Sequence, residues 1–173
     1  MSRRATLTAA VVAFAVALVT LVAIIVLLAG GGASTLGGSA GERIFRAGIG
    51  TDGRAIPRTG GMMMPMMASG CAGCHGPDGQ GRSTPSFTAP NITYANLTNP
   101  QGMLEPDGTR GPTFTNAAIR RAVIQGIDPE GNPLAWPMPR WDLSSGDWSA
   151  LIAYLKSRQR RKNCAEARHA GSG

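Results

Sequence analysis

Cys71, Cys74 and His75 stand at positions i, i+3 and i+4 of the segment Cys71-Ala72-Gly73-Cys74-His75. On a turn of helix such side chains share one face. Two thiols and an imidazole on one face can grip a single planar ligand. Each thiol adds to a vinyl group as a thioether, and the ring nitrogen binds the central metal. This C-x-x-C-H pattern is the attachment signature of a c-type haem. One covalently attached haem c, with its iron, is the expected cofactor; Cys71 and Cys74 are its attachment points and His75 an iron ligand. Two other uses of a C-x-x-C pair fit less well. A thiol redox pair needs a βαβ setting, which the sequence lacks. A zinc site needs four ligands, and the remaining candidates, Cys164 and His169, sit in the tail. Three cysteines also make no simple disulfide framework.

Octahedral iron leaves a position opposite His75. A methionine thioether there raises the reduction potential. Of eight methionines, Met138 is the candidate, in Trp136-Pro137-Met138-Pro139-Arg140-Trp141. The flanking prolines disfavour helix and stiffen the loop. A stiff loop can hold a sulfur against a metal at low entropic cost. Met103 is a rival without that rigidity, and His169 is a weaker one. Met62, Met63, Met64, Met66 and Met67 form a separate cluster. Packing near the haem edge suits them; Cu(I) binding is the alternative.

The positioning elements read as helices. Ser39 and Glu42 make a capping box ahead of a helix over residues 40–47. Thr115 caps a second helix over 116–125, and Gly126 stops it. Ser144 and Asp147 open a last helix over 145–160, with Trp148, Leu151, Ile152 and Leu155 at i, i+3, i+4 and i+7. Residues 76–111 read as ordered loop wrapped around something, because a structureless loop of that length does not suit a compact domain. No strand pattern and no internal repeat is evident. The fold class is all-α: three to five short helices and long loops around one haem. Gly (24) and Pro (12) are abundant and aromatics are only 5%, so the protein core is thin and a cofactor would complete it.

Residues 9–29 are apolar except for Thr20, and Arg3 and Arg4 precede them. Twenty-one helical residues span roughly 31 Å, enough for a bilayer core. The flanking arginines keep the N-terminus cytoplasmic. Residues 1–29 therefore read as a membrane anchor, or as a signal segment cleaved after Ala33. Residues 30–38 are a Gly-rich linker, 39–160 the haem domain, and 161–173 a basic disordered tail. The net charge of +7 resides in the two ends, and the neutral body argues against nucleic acid. The expected location is a bacterial inner membrane, single-pass, with the haem domain in the periplasm.

Gly41-Glu42-Arg43-Ile44-Phe45, the C-x-x-C-H-G segment at 71–76, Pro90-Asn91-Ile92-Thr93, the Met138-Pro139 pair and the Asp147–Lys156 helix together resemble class I c-type cytochromes, in particular membrane-associated bacterial mono-haem members. The resemblance covers residues 40–158; residues 83–111 depart from the compact pattern. It implies a fold whose first and last helices cross, with Phe45 near Leu151, Tyr154 or Leu155. It implies Met138 as the distal ligand, and a proline carbonyl, of Pro85 or Pro90, accepting the His75 N–H. The implied function is single-electron transfer between respiratory redox proteins, with no substrate chemistry and no catalysis of its own. A haem-bearing subunit of a larger oxidase or periplasmic dehydrogenase is the alternative. Expected partners are redox proteins and membrane lipid, not nucleic acid or a small-molecule substrate.

Overall fold

The computed structural model describes residues 18, 20, 38–61 and 70–170, with the backbone alone for Lys162 and residues 165–170. The chain divides into residues 1–37 and 38–173. The apolar run at 9–29 and the methionines at 62–67 lie outside the described residues. Among the described residues, no helix is long and apolar enough to cross a membrane.

The second unit carries five described helices: α1 (Ala40–Ala47), α2 (Ala72–His75), α3 (Tyr94–Leu97), α4 (Asn116–Gln125) and α5 (Ser145–Ala170). The caps that the sequence advertises are made. The Ser39 hydroxyl accepts the Glu42 amide at 3.2 Å, and the Thr115 hydroxyl accepts the Ala118 amide at 3.1 Å. At the start of α5, the Ser144 hydroxyl accepts the Asp147 amide at 3.1 Å while Asp147 accepts the Ser144 amide at 3.2 Å. That reciprocal pair satisfies two otherwise orphaned N–H groups. Gly48 and Gly126 end α1 and α4 in the left-handed region, at φ 66° and 70°, where a side chain would be strained.

Two features differ from the sequence reading. α5 continues to Ala170, past the expected end at 160, so the basic segment is helical as far as that residue. Arg, Lys, Gln, Ala and Glu dominate it and no Gly or Pro interrupts it before Gly171, so propensity favours continuation. Strands also exist, although each is two residues long: β1 (Arg58–Thr59) pairs with β4 (Arg140–Trp141), and β2 (Arg82–Ser83) with β3 (Thr88–Ala89). Runs this short leave no alternating pattern in the sequence.

A local unit recurs three times, at residues 48–56, 103–111 and 126–134. In each, the ninth amide donates to the first carbonyl: Ile56 to Gly48 at 2.8 Å, Gly111 to Met103 at 2.9 Å, Leu134 to Gly126 at 2.7 Å. The third amide donates to the seventh carbonyl, from Gly50 to Arg54, Glu105 to Thr109 and Asp128 to Asn132. The sixth residue is Gly53, Gly108 or Gly131, at φ 80°, 86° and 94°. This is a hairpin turned by a glycine with positive φ. The shared residues are Ile or Leu second, Asp or Glu fifth and Gly sixth, too sparse to have read as a repeat.

α1 packs on α5. A Cβ on Gly41 would overlap the Ala150 carbonyl and the Tyr154 side chain, so the two backbones meet at Gly41. Phe45, 1% exposed, sets its ring 5.5 Å from that of Tyr154. Ile44, Ile56, Trp141, Leu143, Leu151 and Leu155 complete this cluster. The crossing and the placement of Phe45 agree with what the resemblance implied. A second cluster joins Leu97, Met103, Phe114, Ile119 and Ala122. Trp148 and Ile152 of α5 pack against both, so a single helical stripe unites the two.

Candidate haem-attachment site

The attachment segment is a short turn of helix pressed against the end of α1. Gly70, buried and at φ 49°, allows this approach, because a Cβ there would overlap the Phe45 and Ile44 carbonyls. The chain turns into α2, and the His75 amide donates to the Cys71 carbonyl at 2.9 Å. Cys71 and Cys74 are both free and half-buried. Burial pushes the Cys71 thiol up to about 12, and the neighbouring Cys74 adds a smaller push in the same direction. A thiol held protonated at neutral pH is not the activated thiolate of a disulfide oxidoreductase.

His75 is 6% exposed. Its Nδ1 lies 2.8 Å from the carbonyl oxygen of Pro90. A carbonyl can only accept, so Nδ1 carries the proton and Nε2 presents a lone pair. Nε2 has no hydrogen-bond partner among the described residues. Burial lowers the imidazole's pKa, and the Pro90 carbonyl partly opposes that. A neutral, oriented imidazole with one free nitrogen is the form that binds a metal. Between the two prolines left open by the sequence, the structure selects Pro90.

The Pro90 carbonyl is itself fixed. The Ile92 amide donates to the Gly79 carbonyl at 2.7 Å, and the Gly81 amide to the His75 carbonyl at 3.0 Å. Asn96 Nδ2 donates to the Asn91 carbonyl at 2.9 Å and to Leu104 at 3.1 Å. The residues just after the motif are tied to α5. Arg158 donates to the Pro77 carbonyl at 3.3 Å and to the Tyr154 hydroxyl at 2.9 Å, and pairs with Asp78. Neither Arg158 nor Asn96 stood out in the sequence: Asn96 works through backbone groups, and Pro77 and Asp78 lie far from Arg158 along the chain.

Two half-buried thiols, one turn of helix, and a buried imidazole with an unengaged Nε2 suit a covalently held iron porphyrin. The family model for Cytochrome c matches residues 65–159. The chain belongs to the cytochrome c family. As a class I c-type cytochrome it binds covalently attached haem c with iron, and Cys71, Cys74 and His75 fit the attachment motif. Its general role is haem-based electron transfer, as a carrier rather than a catalyst, and it works with redox protein partners. No curated protein and no solved structure matches this chain.

The distal candidates lie in different settings in this cytochrome c. Met103 is 4% exposed and part of the second apolar cluster. Met138 is half-buried on the loop between α4 and β4, where its amide donates to the Ala135 carbonyl at 3.1 Å. His169 and Cys164 both lie on the last part of α5.

Proposed function

We propose that this cytochrome carries single electrons between respiratory redox proteins, with its haem linked through Cys71 and Cys74 and its iron held by His75 and Met138. Bound haem supplies an iron that alternates between ferrous and ferric states. The chain's own residues do the rest. Cys71 and Cys74 anchor the macrocycle and forbid its loss. His75 offers Nε2 while the Pro90 carbonyl accepts a hydrogen bond from Nδ1–H, which fixes the tautomer and orients the ring. Met138 offers a soft thioether that favours the ferrous state and raises the potential. With His75 and Met138 both given to the iron, bound haem would keep no open position for a substrate.

The observation that carries this reading is the buried imidazole that gives one nitrogen to Pro90 and keeps the other unengaged, one helical turn from two free thiols. The reading extends to location. The charge-free apolar run at 9–29, preceded by Arg3 and Arg4, supports a single-pass anchor with the haem domain in the periplasm.

A reduced-minus-oxidised spectrum of membrane and soluble fractions, with intact mass, tests these points together. The expected result is a c-type spectrum in the membrane fraction and a mass greater than the chain's by one haem. A colourless protein at chain mass would overturn the haem reading. Colour confined to the soluble fraction would overturn the anchor. Rapid carbon monoxide binding by the reduced protein would overturn firm ligation by Met138.

A further inference from the structure

The loop that bears Met138 cannot brace itself. Pro133, Pro137 and Pro139 have no N–H to give. Its internal backbone bond runs from the Met138 amide to Ala135, which leaves the carbonyls of Leu134 and Met138 in need of donors. Both are met by one side chain. Arg140 donates through Nη2 to the Leu134 carbonyl at 3.0 Å and through Nη1 to the Met138 carbonyl. The two carbonyls lie at either end of the segment that presents the thioether.

The guanidinium sits in a slot made for it. It lies across Gly126, where a Cβ would overlap Nε, Cζ and Nη2. Gly126 is at once the stop of α4, at φ 70°, and the first residue of the third hairpin. Arg140 is also fixed by its backbone. It belongs to β4, opposite Thr59 of β1, and the next-but-one amide, Asp142, donates to the Pro57 carbonyl at 2.9 Å. On the other side, Gly61 brings a would-be Cβ to 3.0 Å from Pro139 and 3.2 Å from the Pro137 carbonyl. Among the described residues the two ion pairs are Arg46–Glu42 and Arg158–Asp78, so no carboxylate accounts for the half-buried Arg140. Its planar fork, which a lysine does not offer, is used on carbonyls instead.

We propose that Arg140, seated on Gly126, is a positioning residue that holds the Met138 loop closed over the iron and so sets how readily the thioether gives way to another ligand. The proposal rests on Met138 being the distal ligand. Arg140 acts through the carbonyls of Leu134 and Met138, at the two ends of the ligand-bearing segment.

The test uses the full-length haem-loaded protein with Arg140→Lys, Arg140→Gln, Gly126→Ala and Met138→Ala. Imidazole titration of the ferric form and the reduction potential are the two readouts. Loss of a charge-assisted hydrogen bond corresponds to roughly tenfold or more in an equilibrium. Both Arg140 variants should therefore bind imidazole at least about tenfold more tightly than the wild type, and their potentials should fall. Gly126→Ala should do the same with Arg140 still present, because the guanidinium loses its seat. Gly41→Ala, which disturbs the α1–α5 crossing and none of the Arg140 contacts, serves as the destabilised control and should leave imidazole affinity unchanged. If Arg140→Gln does not load haem, Arg140→Lys and Gly126→Ala decide. Unchanged affinity and potential in the Arg140 variants, with Met138→Ala opening the iron, would overturn the clamp and leave the ligand assignment standing. An unchanged Met138→Ala spectrum would overturn the ligand assignment and the clamp together.

Discussion

Gly41 and Tyr154 touch where α1 and α5 cross, and neither backbone could approach the other if position 41 carried a side chain. Alanine is a better helix former than glycine by about 1 kcal/mol, so propensity alone says Gly41→Ala stabilises. The added methyl would meet the Ala150 carbonyl and the Tyr154 Cβ, and overpacking of a well-filled contact typically costs about 1–3 kcal/mol. The expected net result is destabilisation, read as a lower denaturant midpoint for the haem-loaded protein. A raised midpoint would mean that the helices separate freely at this point.

Gly53, Gly108 and Gly131 occupy the same place in three hairpins, and a Cβ on any of them would meet nothing within 4 Å. Their substitution isolates the cost of a positive φ from that of space. Each Gly→Ala change should cost about 1–2 kcal/mol, similar at the three sites. Gly→Asn should cost less at each, since Asn tolerates the left-handed region. Thermal unfolding of the six variants checks both statements. A large spread among the alanines would show that the hairpins are not equivalent.

Asp147 ties the start of α5 to the first hairpin, 96 residues away. Its Oδ1 accepts the Thr51 amide at 2.7 Å and the Thr51 hydroxyl at 2.9 Å, and its Oδ2 accepts the Ser144 hydroxyl at 2.6 Å. Burial works to raise its pKa, but the Ser144 and Thr51 donors prevail and hold it below the ordinary 3.8. The folded protein thus binds this proton less readily than the unfolded chain. The stabilisation is complete above the ordinary carboxylate value and is lost as pH falls from there through the lowered one. Asp147→Asn should cost about 1–3 kcal/mol at neutral pH. The gap between variant and wild type should narrow below about pH 4. A gap that stays constant down the acid limb would remove the charge from the account.

Asn96 holds the strap that carries the Pro90 carbonyl. Its Nδ2 serves Asn91 and Leu104, and its Oδ1 accepts the Leu104 amide at 3.0 Å. Asn96→Ala removes all three contacts and should cost about 1–3 kcal/mol in urea unfolding. The covalent haem content should not change, because the thioether sites are elsewhere. Haem loss without a change in unfolding free energy would contradict this role.

Much of this was legible in residue order. Ser39, Thr115, Ser144, Gly48 and Gly126 are chemically suited to helix ends, and α1 and α4 begin and stop where those residues predict. The attachment turn was legible because its spacing is its function. The far end of α5 was not, since a basic composition suits a solvated helix as well as a loose tail. The hairpins were missed because they share only three positions in nine, and the rest of their order lies in backbone hydrogen bonds. Pro90 could not be chosen over Pro85 from sequence: a carbonyl's direction depends on how Gly79 and Asn96 fold the strap. Arg140 was hidden for the same reason, since both of its acceptors are main chain.

α1 is only eight residues long, too short to persist by itself in water, and its partner α5 is translated well after it. The thiols of Cys71 and Cys74 are thus on a finished stretch of polypeptide while the helix beside them still lacks its counterpart. Until α5 is made, the crossing at Gly41 cannot close. A premature stop codon ahead of Ser145 would leave a chain with its attachment motif intact and nothing to fold against.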